Sequence, residues 1–157
     1  DGAARLVTET GLEVMADESL NTRSSLELLL EKKACTAINA RVSKCGGLVA
    51  TLRRCREAVD AGLWVQVGCQ VGESSVLSAA HLHLCHAFGE MRHAEGCFGK
   101  LLLADDPVAP NLQMKTGGKP PAKPGGPGLG VTVHEEQLRP AIARSWTVPA
   151  DSNGKTQ

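Results

Sequence analysis

The chain has 157 residues, with 17 basic and 17 acidic side chains and therefore no net charge, a balance that argues against nucleic acid or an anionic membrane as the main partner. It has no Tyr, two Phe and two Trp, so its core has to be aliphatic, as in the Val, Ile and Leu layers of α/β proteins. No apolar run approaches the ~18 residues of a membrane span, no signal-peptide pattern is visible, and the length predicts one domain.

Taken in order, residues 2–11 place Ala3, Leu6 and Val7 at helical spacing and end on Gly11, a natural C-cap. Residues 12–16 read as a short strand ending at Asp17. Thr22, Ser24 and Ser25 are candidate N-caps for a helix over 24–33. A buried strand over 36–42 ends in the Gly46–Gly47 turn. The next helix has an apolar stripe of Leu48, Leu52, Cys55, Ala58 and Val59, closed by Gly62. A third strand over 63–68, a helix over 74–88 and a weaker strand over 91–95 follow. Strands alternating with helices of this length imply parallel βα units.

Beyond residue 104 the pattern changes. Residues 115–133 are dense in Pro and Gly and read as an irregular, extended connector. A short strand, one short helix and a frayed tail are expected towards the C-terminus, the helix and tail occupying 134–157. The domain expectation is thus a partial barrel over 1–114, the connector, and a C-terminal helix and tail.

The six cysteines, at 35, 45, 55, 69, 85 and 97, form no CxxC and no zinc-finger spacing. Their apolar settings predict reduced, structural thiols and a cytoplasmic location. In HLHLCH, residues 81–86, helical spacing puts His81 and Cys85 on one face and His83 and His86 on another, splitting any metal site into weak pairs. Val76, Leu77, Ala80, Leu84 and Phe88 account for the segment as an ordinary packed helix.

Four strands with polar residues at their C-terminal ends, each of the first three followed by a helix, are the repeating unit of a (β/α) barrel with its site on that rim. The ordered series ADES (16–19), NARVSKCGG (39–47), GCQVGES (68–74), HAEG (93–96) and GPGLGV (126–131) resembles the C-terminal half of the enolase superfamily barrel, closest to its muconate lactonizing enzyme and mandelate racemase branch. The resemblance covers roughly residues 1–133. It implies an α/β fold holding strands five to eight of a TIM-type barrel, with a Pro/Gly-rich extension. It also implies abstraction of a proton α to a carboxylate, with one magnesium ion stabilising the enediolate.

On that resemblance Asp17 matches the third of three metal-binding carboxylates; the first two have no counterpart in this chain, so magnesium is expected to bind the chain alone weakly or not at all. Glu18 would point away from Asp17 if the strand continued. Asn39 and Arg41 share a strand face and are expected to line the interior. The family usually has Lys where Arg41 stands. A guanidinium stays protonated and makes a poor base, but it can anchor a carboxylate or an enediolate. This disfavours racemisation, which needs a base on each face of the carbon. Lys44 has the opposite parity and is a second catalytic candidate only if the chain bends at Ser43 and turns it inward. Gln70, Glu73 and Glu95, with Asn39, are the substrate-binding candidates, and Gly68 would leave room for substrate. Glu73 alternatively reads as a carboxylate favoured by a helix N-terminus. Glu95 stands where dipeptide epimerases carry a paired-aspartate motif; the pair is broken, which disfavours a dipeptide.

Four parallel strands leave two open edges, so a missing N-terminal half or a homo-oligomeric partner is expected. Two functions remain: the C-terminal part of a magnesium-dependent isomerase or lyase acting on a small carboxylate, or a non-catalytic barrel fragment that only associates with other chains.

Overall fold

The computed structural model describes residues 1–116 and 119–145. Four strands form one parallel sheet: β1 (Met15–Ala16), β2 (Ala37–Arg41), β3 (Trp64–Gly68) and β4 (His93–Ala94), in the spatial order of the sequence. They fall inside the four expected segments but are shorter at the sheet's flanks. β1 has only two residues, although the Val14 carbonyl extends its tie to the neighbouring strand by accepting from Thr36 N at 2.9 Å and Ala37 N at 3.2 Å. The register pairs Met15 with Ala37, Asn39 with Gln66, Arg41 with Gly68 and Gln66 with His93. The ends of β2 and β3 are therefore level, while β1 stops opposite Ile38, before the end of β2.

The helices are α1 (Gly2–Thr10), α2 (Arg23–Glu31), α3 (Leu48–Asp60) and α4 (Ser75–Phe88). Gly11 caps α1 in the left-handed conformation, φ 68°, as its position predicts. Of the three candidate caps for α2, Thr22 is the one used. Its hydroxyl accepts from Ser25 N at 3.1 Å and the Ser25 hydroxyl accepts from Thr22 N at 2.9 Å, a reciprocal capping box. Gly62, at φ 84°, makes the left-handed turn after α3.

Alternation on the strands sorts the sheet into two faces. Ala16, Ile38, Ala40, Val65 and Val67 point to the helix side and pack with Leu26 of α2, Cys55 and Ala58 of α3, and Ala80, Leu84 and Phe88 of α4. This is the aliphatic core that the composition demands. The opposite face carries Asn39, Arg41 and Gln66. At the N-terminal ends of the strands Glu13 accepts from Trp64 Nε1 at 3.0 Å and Arg92 Nη1 at 2.8 Å, and Arg92 lies 4.8 Å over the Trp64 ring. That clasp ties β1, β3 and β4 together, but its exposure limits its worth.

Two elements beyond β4 are absent from the sequence reading. A one-turn helix, α5 (Gly99–Leu102), follows β4, and a strand, β5 (Val108–Ala109), pairs antiparallel with β6 (Thr132–Val133). Both are too short to show a period. The short helix expected near the C-terminus is α6 (Glu135–Leu138), continued as a 3₁₀ turn over Arg139–Ala141. Between β5 and β6 the Pro/Gly-rich stretch is irregular but anchored. Leu129 packs against the main core and against a second cluster of Ala79, Leu82, Cys97 and Leu112, and its carbonyl lies 3.2 Å from His83 Nε2. The tail expected over 145–157 lies, from residue 146 on, outside the described residues. Among those described, no helix is long and apolar enough to cross a membrane.

Candidate functional site

The polar residues of the strand ends converge on Asp17. The residue follows β1 directly, and its carboxylate accepts from Arg41 Nη2 at the end of β2. Its other oxygen accepts from Lys44 Nζ at 2.5 Å, and the same ammonium donates to the Asp17 main-chain carbonyl at 2.5 Å and to Asn39 O at 3.2 Å. The side chains of Lys44 and Arg41 are only 7% and 12% exposed, that of Asp17 28%. This is a largely desolvated cluster, unlike the surface pairs elsewhere on the molecule.

Lys44 reaches Asp17 because the strand does not continue. After Arg41 the backbone coils, with Cys45 N donating to Arg41 O at 2.9 Å and Gly47 N to Val42 O at 3.0 Å. Gly46 and Gly47 adopt φ 87° and 93°, where glycine carries no penalty. Strand parity, which placed Lys44 outward, stops applying at Val42, and the side chain turns inward. Glu18 is 80% exposed, yet one oxygen stands 3.4 Å from Arg41 Nη2, so it joins the cluster at its wet edge instead of pointing away.

The second arm of the Arg41 fork, Nη1, donates to Gln70 Oε1 at 2.9 Å. Arg41 thereby bridges the ends of β1 and β3. Gln70 is in turn fixed by Glu73, whose carboxylate accepts from Gln70 N at 2.7 Å and from the Ser43 hydroxyl at 3.2 Å. Glu73 is buried, and its bonds tie the turn after β2 to the loop after β3. Asn39 is buried with its Oδ1 unpartnered. Its carboxamide occupies the space over Gly68, so completely that a Cβ at Gly68 would overlap it. Gly68 therefore makes room for Asn39, and the expectation that it leaves space for substrate is corrected. Glu95 stands apart from this network: its N–H donates to Val67 O at 3.0 Å, and its side chain borders a cavity of about 230 Å³ together with His81, Cys85, Met91, Cys97 and Pro120.

Burial alone would raise the Asp17 carboxyl; the Lys44 ammonium, the Asn39 amide and the Arg41 guanidinium outweigh it and hold the group below its ordinary value. Asp17 is thus a carboxylate already matched by two cations. Magnesium requires near-octahedral hard oxygen ligands and favours several carboxylates. No group of three or more His, Cys, Asp or Glu among the described residues is arranged to hold a metal, and both oxygens of the one matching carboxylate are engaged. The residues present do not fit the ion.

The same holds for HLHLCH. His81 Nε2 lies 3.5 Å from Cys85 Sγ, while His83 turns to Leu129 O. His86 departs from the expected split by lining the same cavity as His81 and Cys85. Burial pushes His81 below the ordinary imidazole value. All six cysteines are free. Burial raises the Cys55 thiol to about 12 and the Cys69 and Cys85 thiols to about 11, which leaves them weak nucleophiles near neutral pH.

Two residues of this region escaped the sequence reading. Ser43 was seen only as a bend. Asp106 falls in no predicted element, yet its carboxylate accepts from Ser75 N at 3.0 Å and from the Ser75 hydroxyl at 2.5 Å. Neither sits in a periodic pattern, and their partners are about thirty residues away in sequence.

Residues 1–137 match the family described as enolase C-terminal domain-like. Chloromuconate cycloisomerase of Pseudomonas putida is 30% identical over 139 residues, 88% of this chain and 37% of that protein. Among solved structures, muconate lactonizing enzyme from Pseudomonas putida superposes with a TM-score of 0.77 at 28% identity, covering 88% of this chain and 38% of the other. N-succinyl Arg/Lys racemase from Bacillus cereus gives 0.78 at 27% identity, covering 90% and 37%. The chain thus spans less than two-fifths of the length of these relatives. With the parallel sheet, the strand-end cluster and a family match over most of its length, the chain belongs to the enolase C-terminal domain-like family.

Proposed function

We propose that this chain is the strand-five-to-eight portion of an enolase-superfamily barrel of the muconate lactonizing enzyme and mandelate racemase branch, serving an isomerase or lyase that removes a proton α to a carboxylate. Arg41 is its electrostatic anchor. The observation that carries the reading is the Arg41 fork, held between Asp17 after β1 and Gln70 after β3. A fixed guanidinium at that rim suits a substrate carboxylate and the negative charge that develops when the α-proton leaves.

The proton itself is not taken by the residues gathered here. Arg41 is a permanent cation, and the Lys44 ammonium is committed to three oxygens. The base therefore comes from another part of the complete protein, where the superfamily carries a lysine on its second barrel strand. One base favours cycloisomerisation or elimination over racemisation. The reading against racemisation rests on the arginine at this position, whatever the likeness to a racemase. No step is assigned to magnesium, since the residues present do not fit it.

The commitment of both cluster cations, Arg41 and Lys44, to protein acceptors also favours a second reading, a non-catalytic barrel portion that associates with other chains. Solvent deuterium incorporation separates the two. In the complete protein, small α-protic carboxylates are expected to take up deuterium at the α-carbon from one face, and Arg41→Lys is expected to add exchange from the second face. Absence of exchange from any carboxylate supports the associating reading. Two-faced exchange already present with Arg41 removes the argument against racemisation.

A further inference from the structure

We infer that Asp17 is the anion of an internal ion-pair lock that excludes divalent metal, with the Arg41 guanidinium and the Lys44 ammonium taking the charge that a metal would otherwise supply. The inference rests on family membership and on the geometry of the cluster, not on the catalytic reading above.

Three observations carry it. First, both carboxylate oxygens and the main-chain carbonyl of Asp17 are engaged. One Asp17 oxygen accepts from Arg41 and the other from Lys44, and the main-chain carbonyl of Asp17 also accepts from Lys44. A cation adopting Asp17 as ligand would have to displace donors that are themselves nearly buried. Second, those donors cannot easily turn away. Lys44 is pinned by the coiled turn through Gly46 and Gly47 and by a third bond to Asn39 O. Arg41 is pinned by Gln70, which Glu73 fixes through Ser43 and the Gln70 amide. Third, the charges count against a dication. Arg41 and Lys44 face Asp17 at close range, and Glu18, mostly in water, adds one peripheral carboxylate. A dication beside two desolvated cations meets repulsion that the low local dielectric strengthens.

The position of Arg41 gives the lock its specificity. A lysine there would supply one point charge on a flexible stem. The guanidinium supplies two parallel arms, one on the carboxylate and one on Gln70, and it cannot give up its proton to make way for a metal. The substitution that removes a proton carrier from this rim therefore also closes the rim to metal.

The test uses manganese as a paramagnetic probe on the whole chain, read by NMR line broadening, with melting temperatures followed in parallel. For the unaltered protein, manganese is expected to cause no broadening at residues 16–18 or 39–44, and neither magnesium nor a chelator to move the melting temperature. Arg41→Gln and Lys44→Met, made singly, are each expected to admit manganese, with broadening centred on residues 16–18 and an affinity gain of about tenfold. Arg41→Lys is expected to gain less than Arg41→Gln. Broadening at residue 17 in the unaltered protein that Asp17→Asn abolishes overturns the lock. So does a folded Arg41→Gln or Lys44→Met protein that still refuses the metal. If either variant fails to fold, the unaltered protein, Asp17→Asn and Arg41→Lys decide between the same outcomes. None of these readouts depends on turnover, so a failed deuterium experiment leaves the inference intact.

Discussion

At Gly68 the absence of a side chain is a packing requirement set by a residue on the neighbouring strand. Asn39 stands opposite Gln66, and Arg41 opposite Gly68; the Asn39 carboxamide leans along β2 until it covers the Gly68 Cα. Gly68→Ala is therefore expected to lower unfolding free energy by about 1–3 kcal/mol, the usual cost of overpacking, measured by denaturant titration. Asn39→Ala in the same background is expected to recover part of that loss, because it empties the space the new methyl needs. A Gly68→Ala protein as stable as the parent would mean that Asn39 is free to swing aside. The unpartnered Asn39 Oδ1 belongs to the same economy of space: an amide that covers a glycine and helps hold Asp17 has one acceptor left over.

The elements are held at their ends as much as by their faces. α4 begins after Ser74 with no side-chain cap of its own, and Asp106, thirty-one residues on, supplies what is missing by accepting from Ser75 N and Oγ. A carboxylate there satisfies an orphan amide and meets the positive end of the helix dipole. The Ser75 hydroxyl in turn accepts from Leu112 N at 2.8 Å, so one contact fixes both the start of α4 and the path of the chain after α5. Asp106→Ala is expected to cost about 1–2 kcal/mol, as loss of a helix cap does, and Asp106→Asn less. A melting temperature for Asp106→Ala equal to that of the unaltered protein would show that α4 does not need the remote cap.

On the scale of the whole molecule, the sheet has a helix-covered face packed with Ile38, Val65, Val67 and their neighbours and a second face bearing Asn39, Arg41 and Gln66. The outer edges of β1 and β4 have no strand partner among the described residues. Parallel sheets are ordinarily buried on both faces, and free edges invite pairing. The chain as it stands is therefore expected to associate: sedimentation at micromolar concentration should show dimers or larger species, dissociating as denaturant is added. A monodisperse monomer with a single cooperative unfolding transition would show that four strands and their helices suffice.

The sequence alone determined what depends on neighbours in the chain. Apolar periodicity located four strands and four long helices, because a buried face repeats every two or every 3.6 residues. Gly11 marked a helix end through its backbone chemistry, and three hydroxyl residues, Thr22 among them, marked the start of α2. Composition demanded an aliphatic core, and the order of five short motifs disclosed the family. Only the tertiary structure decided what depends on residues distant in the chain. Lys44 lies on the wrong parity for a strand, and its inward turn rests on the coil through Gly46 and Gly47. Glu73 gives no sign in the sequence of the bonds that its carboxylate makes to the Ser43 hydroxyl and the Gln70 N–H. Asp106 shows no sign of capping a helix that began thirty residues earlier. Asp17 reads as a metal ligand by resemblance, yet packing sets two cations on it, because charge balance in a desolvated cluster is a property of the whole set of neighbours and not of any one motif.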